Sequence, residues 1–204
     1  MFKRYLPHLT NKTILDVGCG HGMMMEYFSK KGNNVFGIDI THQSIKYITK
    51  KGVNAIEADA RFIPFENNTF DLVYSLGVIE HFAGTELALQ EQVRVCAPGG
   101  VVVAVVPYLL TPFSVLSIIF ERITKKEHNL IVTYGKAYSK SKLLKMFQTA
   151  GCERVKIEPY YGSAFLQIFT NQLNRKLIDF LENSFLSRYL GLVLWGIGYK
   201  GSDI

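Results

Sequence analysis

The densest chemistry in the chain lies in Ile14-Leu15-Asp16-Val17-Gly18-Cys19-Gly20-His21-Gly22. Glycines spaced GxGxG follow a β-branched run and open a helical pattern. Such a loop can turn tightly and let a ligand approach its backbone. The spacing is one residue shorter than the dinucleotide pattern GxGxxG. Asp16 stands just before the loop, where a carboxylate could bind an amine and would repel a pyrophosphate. Asp39 ends the second apolar run, nineteen residues after Gly20. A carboxylate there can accept both hydroxyls of a ribose. Farther along, His81 follows Glu80 and could take a proton at neutral pH. Tyr108, His128 and Tyr134 are further candidate bases. Met23, Met24 and Met25 read as core and pocket filler rather than a metal site.

These residues need a scaffold that delivers them to one edge. The first 107 residues alternate strand and helix signals. Expected strands are Thr13 to Cys19, Asn34 to Ile40, Asn54 to Asp59, Phe70 to Leu76 and Val101 to Val106. Between them lie expected helices at Gly22 to Lys31, at His42 to Lys51 with Thr41 as cap, and at Thr85 to Ala97. Pro98-Gly99-Gly100 reads as the stop of the third helix. This alternation implies right-handed crossovers and a parallel sheet. Later in the chain, Ser139 to Ala150 reads as a capped helix and Glu153 to Tyr160 as a sixth strand. Ala164 to Tyr189 reads as helical and Leu192 to Tyr199 as a seventh strand. The expected organisation is one domain over residues 1–204, with insertions at about 108–138 and 162–190.

Composition narrows the classes. The chain has 204 residues, 48% of them hydrophobic and 20% charged, which excludes a disordered chain. Its formal net charge of +6 permits nucleic acid or an anionic membrane surface as a partner without requiring either. Lys125, Lys126, Lys136, Lys140, Lys142 and Lys145 supply much of the excess and read as a solvated face. Val95 to Phe120 contains no charged side chain, but its prolines and glycines favour a buried strand over a membrane span. The N-terminus lacks the apolar core of a signal peptide. Cys19, Cys96 and Cys152 form no CxxC pair, so reduced thiols in the cytoplasm are expected. Cys19 reads as packing rather than nucleophile.

The ordered set DVGCGHG, GIDI, EADA, FDLVYSLGVIEHF and APGGVVVAVVP resembles the class I S-adenosylmethionine-dependent methyltransferases. Its look is that of the small-molecule branch that includes ubiquinone-pathway enzymes. The resemblance covers Thr13 to Pro107, about half the chain. It implies a Rossmann-like, doubly wound sheet of seven strands, mostly parallel, with helices on both faces. The last strand would insert antiparallel between the fifth and sixth.

The resemblance also implies roles. Gly18, Gly20 and Gly22, with Cys19 between them, would wrap the methionine part of S-adenosylmethionine, and Asp16 would face its ammonium. Asp39 would take the ribose hydroxyls and Ile40 would pack on adenine. Asp59 would accept from the adenine amino group, with the Ala60 amide meeting the ring. Leu76 would offer its backbone near the methionine group, flanked by Ser75 and Gly77. Related quinone-pathway enzymes carry an acidic residue where Gly77 stands and bind a metal, so no metal is expected.

Methyl transfer from a sulfonium is an in-line displacement whose catalysis rests largely on positioning. A base is needed only if the nucleophile must lose a proton; His81 is the candidate. No Asn/Asp-Pro-Pro-Tyr tetrapeptide follows the fourth strand, which argues against methylating exocyclic amines of nucleic-acid bases. The expected activity is methyl transfer to a small, apolar or aromatic acceptor, leaving S-adenosylhomocysteine. The alternatives are a nucleic-acid or protein methyltransferase, a non-catalytic S-adenosylmethionine-binding protein, and a dinucleotide oxidoreductase. Only twelve residues precede the first strand, so cover for the substrate is expected from Tyr108 to Tyr138 and Gly162 to Leu190. Tyr108 to Phe120 is expected to line the substrate pocket. A monomer or homodimer is expected, with no membrane span and with peripheral membrane contact permitted.

Overall fold

The computed structural model describes residues 2, 6, 9–81, 83–109, 136–160 and 193–202. Its strands are β1 (Thr13–Val17), β2 (Asn34–Asp39), β3 (Asn54–Glu57), β4 (Phe70–Leu76), β5 (Cys96–Pro107), β6 (Cys152–Tyr160) and β7 (Val193–Lys200). The helices are α1 (Met23–Ser29), α2 (His42–Thr49), α3 (Thr85–Val95) and α4 (Lys140–Thr149), and a 3₁₀ turn, Ile79–His81, follows β4. The strands form one seven-stranded sheet in the order β3-β2-β1-β4-β5-β7-β6. Pairing is parallel from β3 through β5. β7 runs antiparallel between β5 and β6, as expected. The chain winds outward from β1 to β3, then returns to start β4 on the other side of β1. At that reversal, loops leave neighbouring carboxyl ends in opposite directions and open a crevice for a ligand.

Alternation along each strand divides the core between two faces. Leu15, Val17, Val73, Val102 and Ala104 pack with Ala88, Leu89 and Val93 of α3 and with Leu143, Met146 and Phe147 of α4. Ile14, Leu72, Tyr74, Val103 and Val105 pack with Met25 and Phe28 of α1 and Ile48 of α2. β7 serves both faces. Leu194 joins the first cluster, while Ile197, Val193 and Trp195 join the second. Phe2 closes the second face with edge-on contacts to Phe28, Tyr74 and Trp195, at centroid distances of 5.1, 5.5 and 5.1 Å.

Two local expectations need correction. Pro98-Gly99-Gly100 is not a turn between helix and strand; it lies inside β5. Phe70 pairs with Cys96 and Leu72 with Val101, so β5 bulges out while β4 advances by two residues. A Cβ on Gly100 would sit 2.7 Å from Cys96 Sγ and 2.8 Å from the Ala97 carbonyl oxygen, so this fold-back needs glycine. Thr41 occupies the cap position of α2, but its hydroxyl makes no capping bond. Ser139 does cap α4, its Oγ accepting from Lys142 N–H at 3.2 Å.

The segment between β5 and α4 leaves and returns at one rung. Tyr108 bridges Tyr138, Leu109 N–H donates to the Tyr138 carbonyl at 3.0 Å, and Tyr138 N–H donates to the Pro107 carbonyl at 2.9 Å. The Tyr138 hydroxyl is 3.0 Å from Thr85 Oγ1, at the first turn of α3. Residues 110–135 lie outside the described residues, as does the expected helix Ala164 to Tyr189.

At the far end of β7, the Lys200 ammonium donates to the carbonyls of Val93, Arg94 and Cys96 at 2.9, 3.2 and 2.8 Å, and to Asn68 Oδ1 at 2.7 Å. It satisfies the open carbonyls at the C-terminus of α3, where a cation also meets the negative end of the helix dipole. Lys200→Met should therefore cost about 1.5–3 kcal/mol, the usual value of a charge-assisted contact set. Urea denaturation of the two proteins measures it.

Candidate functional site

The GxGxG loop joins β1 to α1 by a left-handed path that favours glycine. Gly18, Gly20 and Gly22 all have positive φ, at 74°, 50° and 78°. Gly18 is the most constrained, since a Cβ there would lie 2.3 Å from Val78 Cγ2. The loop thus packs directly on the segment that leaves β4. Gly18→Ala combines a left-handed backbone, unfavourable by roughly 1–2 kcal/mol for other residues, with this clash. The variant should melt several degrees lower, as differential scanning calorimetry would record.

Asp39 organises the loop from the end of β2. Its Oδ2 accepts the Gly20 N–H and its Oδ1 accepts the Thr41 N–H, both at 2.8 Å. Gly18 and Cys19 amides both donate to the Ile38 carbonyl, at 2.8 and 2.9 Å. Each Asp39 oxygen keeps a second lone-pair direction for an incoming donor. Beyond it, Ile40 is 69% exposed, an apolar surface at the strand end with nothing stacked on it among the described residues.

Asp16 lies on the same edge, beneath the loop. It is buried, and its register partner on β4 is Tyr74. Burial pushes the Asp16 carboxyl up to about 7, with Tyr74 pulling it down and Asp39 adding an upward push. The Tyr74 hydroxyl is buried beside it without a hydrogen bond of good geometry. Burial also drives the Tyr74 hydroxyl upward, so it stays a neutral phenol. Asp16, Asp39 and the Tyr74 hydroxyl are close enough to influence one another, so this edge is acidic and favours a cation. Cys19 is buried here and burial pushes its thiol up to about 12, with Asp16 and Asp39 contributing. It is an inert packing group.

The third acidic residue is engaged differently. Asp59 accepts from the Arg61 amide and Nε at 2.8 and 3.0 Å on Oδ1, and from Arg61 Nη2 on Oδ2. These bonds, the side-chain ones first, hold the Asp59 carboxyl below the usual range. Three donors from one residue leave about one of its four acceptor positions for a ligand. Ala60 is buried beside it. The clamp by Arg61 was invisible in the sequence reading, although a basic residue two positions after a loop carboxylate is the signal that could have revealed it.

The exit of β4 completes the edge. Ser75 is buried with an unpartnered Oγ. Leu76 is partly buried, and Gly77, at φ 70°, donates its amide to the Val105 carbonyl at 2.9 Å. His81 is exposed, and its amide closes the 3₁₀ turn onto the Val78 carbonyl at 3.2 Å. Glu80, next to it, is buried, and burial pushes its carboxyl up to about 7. The sequence reading passed over Glu80 in favour of its neighbour. No group of three or more His, Cys, Asp or Glu side chains among the described residues is arranged to hold a metal.

A parallel sheet with a glycine loop after β1, a carboxylate ending β2 and an antiparallel seventh strand defines the Rossmann-like methyltransferase architecture. Residues 15–104 match the family model described as a methyltransferase domain. Over that span the chain is similar to the class I S-adenosylmethionine-dependent methyltransferases, and it shares their fold. It is 32% identical over 99 residues to the phthiotriol/phenolphthiotriol dimycocerosates methyltransferase of Mycobacterium leprae, covering 46% of this chain and 37% of that protein. It is 31% identical over 107 residues to the ubiquinone biosynthesis O-methyltransferase of Hydrogenovibrio crunogenus, covering 48% and 44%. It is 35% identical over 109 residues to the tRNA (carboxymethyluridine(34)-5-O)-methyltransferase of Arabidopsis thaliana, covering 52% and 26%. The chain thus spans less than half the length of these curated relatives. Among solved structures, an S-adenosylmethionine-dependent methyltransferase from Archaeoglobus fulgidus superposes with a TM-score of 0.68 at 22% identity, covering 98% of this chain and 91% of that one.

Proposed function

We propose that this chain binds S-adenosylmethionine at the carboxyl ends of β1, β2 and β4 and passes its methyl group, in line, to a small apolar or aromatic acceptor. One observation carries the reading. The Asp39 carboxylate is fixed by the backbone amides of Gly20 and Thr41 while Asp16 sits buried on the same edge. One carboxylate is set for ribose hydroxyls and the other for an ammonium. In this assignment Gly18, Cys19, Gly20 and Gly22 enclose the methionine part, and Ser75, Leu76 and Gly77 border it. Ile40 covers one adenine face, while Asp59 and Ala60 meet its polar edge. When bound, the cofactor supplies an activated methyl; the protein orients it and excludes water. His81 is an exposed candidate for taking a proton from the acceptor.

Calorimetric titration with S-adenosylhomocysteine and NAD tests this. Micromolar binding of the first without the second is expected, and the reverse order overturns the reading. The acceptor class rests on the apolar stretch Tyr108 to Phe120, of which only Tyr108 and Leu109 fall within the described residues. Two of the relatives are named for a dimycocerosate lipid and for ubiquinone biosynthesis, which agrees with an apolar or aromatic acceptor. The tRNA methyltransferase relative favours a second reading, in which the lysine-rich side of α4 meets RNA. A steep salt dependence of RNA binding would support that reading. Among the described residues, no helix is long and apolar enough to cross a membrane. We further propose one cytoplasmic domain with insertions at about 108–138 and 162–190, acting as a monomer or homodimer.

A further inference from the structure

Four buried side chains among the described residues keep polar atoms without a hydrogen-bond partner: Tyr74, Ser75, Glu80 and Gln92. Tyr74 and Ser75 belong to the edge already assigned to the cofactor. Gln92 lies within α3, on the face turned to the core. Glu80 is different, because it is a carboxyl and lies one short turn beyond that edge. Its side chain is 4% exposed and its Oε2 meets no donor. Its Oε1 folds back to within 3.6 Å of where a Cβ would stand on Gly77, the residue just past β4. From the other side, the Lys136 amide donates to the Glu80 carbonyl at 3.2 Å. The returning end of the first insertion therefore fastens onto this residue. Glu80 thus meets Gly77 through its carboxyl and the returning end of that segment through its backbone carbonyl.

An orphaned carboxylate oxygen at such depth is costly. A ligand that brings a hydrogen-bond donor removes that cost. Resting on the function proposed above, we propose that Glu80 Oε2, rather than His81, accepts the hydrogen bond and then the proton of an acceptor hydroxyl. In the transfer, an oxygen lone pair of the acceptor attacks the methyl carbon. The carbon–sulfur bonding pair returns to sulfur, giving S-adenosylhomocysteine. The hydroxyl proton passes to Glu80, so charge and atoms balance. The carboxyl is held up near 7 by burial, which suits a group that must take a proton near neutral pH. The inference narrows the acceptor to a molecule carrying a hydroxyl next to apolar surface. A neutral amine needs no such base, and a carbon acid offers poor hydrogen bonding.

The test uses the whole chain saturated with S-adenosylhomocysteine and two probes, catechol and its dimethyl ether, which lacks hydroxyl donors. Calorimetry compares both probes against the unsubstituted protein, Glu80→Gln and Glu80→Asp. Catechol should bind the unsubstituted protein at least tenfold more tightly than the ether, and Glu80→Gln should shrink that ratio to within threefold. Glu80→Asp should keep part of the ratio. With S-adenosylmethionine present, guaiacol formation should rise with pH through about 7 and fall at least 100-fold in Glu80→Gln, the usual worth of a general base. Affinity for S-adenosylhomocysteine should hold in both variants, and Glu80→Gln should melt no lower than the unsubstituted protein at pH 7, which separates this role from folding. Equal binding of the two probes, no binding of catechol, or turnover and pH profile unaltered by Glu80→Gln would overturn the proposal while leaving the methyltransferase reading intact. Failure of the chain to bind S-adenosylhomocysteine would overturn that reading instead.

Discussion

Affinity for S-adenosylhomocysteine should fall roughly 30-fold between pH 8 and pH 5.5, through Asp16 alone. The carboxyl titrates near 7 in the free protein because it is buried. A bound ammonium favours the charged form and pulls the titration far lower. Binding below pH 7 therefore releases a proton, and the affinity loses up to tenfold per pH unit on that side. The ligand's ammonium stays protonated throughout the range, so the change belongs to the protein. Stability of the free protein should move the opposite way. The folded-state pKa of Asp16 is raised above its unfolded value, so its neutral form is the one the fold accommodates. That contribution is complete below about pH 4 and is lost as pH rises through 7, at a slope of up to about 1.4 kcal/mol per unit. Glu80, also raised to about 7, adds to the slope in the same direction. Melts of the free protein and of Asp16→Asn from pH 5 to 8 should diverge accordingly. Calorimetry in two buffers of different ionisation enthalpy should count the released proton. A pH-independent affinity would remove the ammonium from Asp16.

Asp39→Ala should weaken S-adenosylhomocysteine by about ten- to hundredfold, the loss of about 1.5–3 kcal/mol in charge-assisted hydrogen bonds. The effect has two parts. The ribose loses its acceptor, and the loop loses the anchor that holds the Gly20 and Thr41 amides at 2.8 Å. Asp39→Asn separates them, since one amide oxygen can still accept from one backbone donor. It should recover some of the loop's order and little of the ligand affinity. The alanine variant should also remove part of the upward push on Asp16. The midpoint of its pH dependence should move down. An alanine variant with unaltered affinity would refute the ribose assignment.

The parts of the molecule legible in the sequence were those governed by short-range patterns. β4 lies where its apolar run ends, at Phe70 and Leu76. Ser139 caps α4 as its hydroxyl and position foretell. The antiparallel β7 came from resemblance rather than from its residues, since Leu194 and Ile197 would alternate equally well in either direction. The Pro98-Gly99-Gly100 bulge misled because the same dipeptides mark turns and bulges alike, and only pairing with β4 distinguishes them. In the candidate site, the glycines, Asp16 and Asp39 announced themselves by spacing. Tyr74 and Arg61 did not. Tyr74 meets Asp16 only through the register of β1 on β4, and the Arg61 clamp on Asp59 is a side-chain choice within an irregular loop. Glu80 was overlooked because burial decides its chemistry, and burial in a 3₁₀ turn has no periodic signature.

The rung at which Tyr108 meets Tyr138 makes the chain a chassis with a socket. Closing a loop costs free energy that grows only as the logarithm of its length, about 0.6 kcal/mol per doubling. With both ends fastened by backbone bonds and by the Tyr138–Thr85 contact, whatever is strung between them is nearly free to vary. The register of β5 is set by its pairing with β4 and β7, and the seat of α3 by the core beneath it. On the proposed assignment of that segment to the acceptor, exchanging it wholesale would trade one acceptor for another. The donor half, locked by Asp39 to its glycines, has no comparable freedom and must be inherited intact.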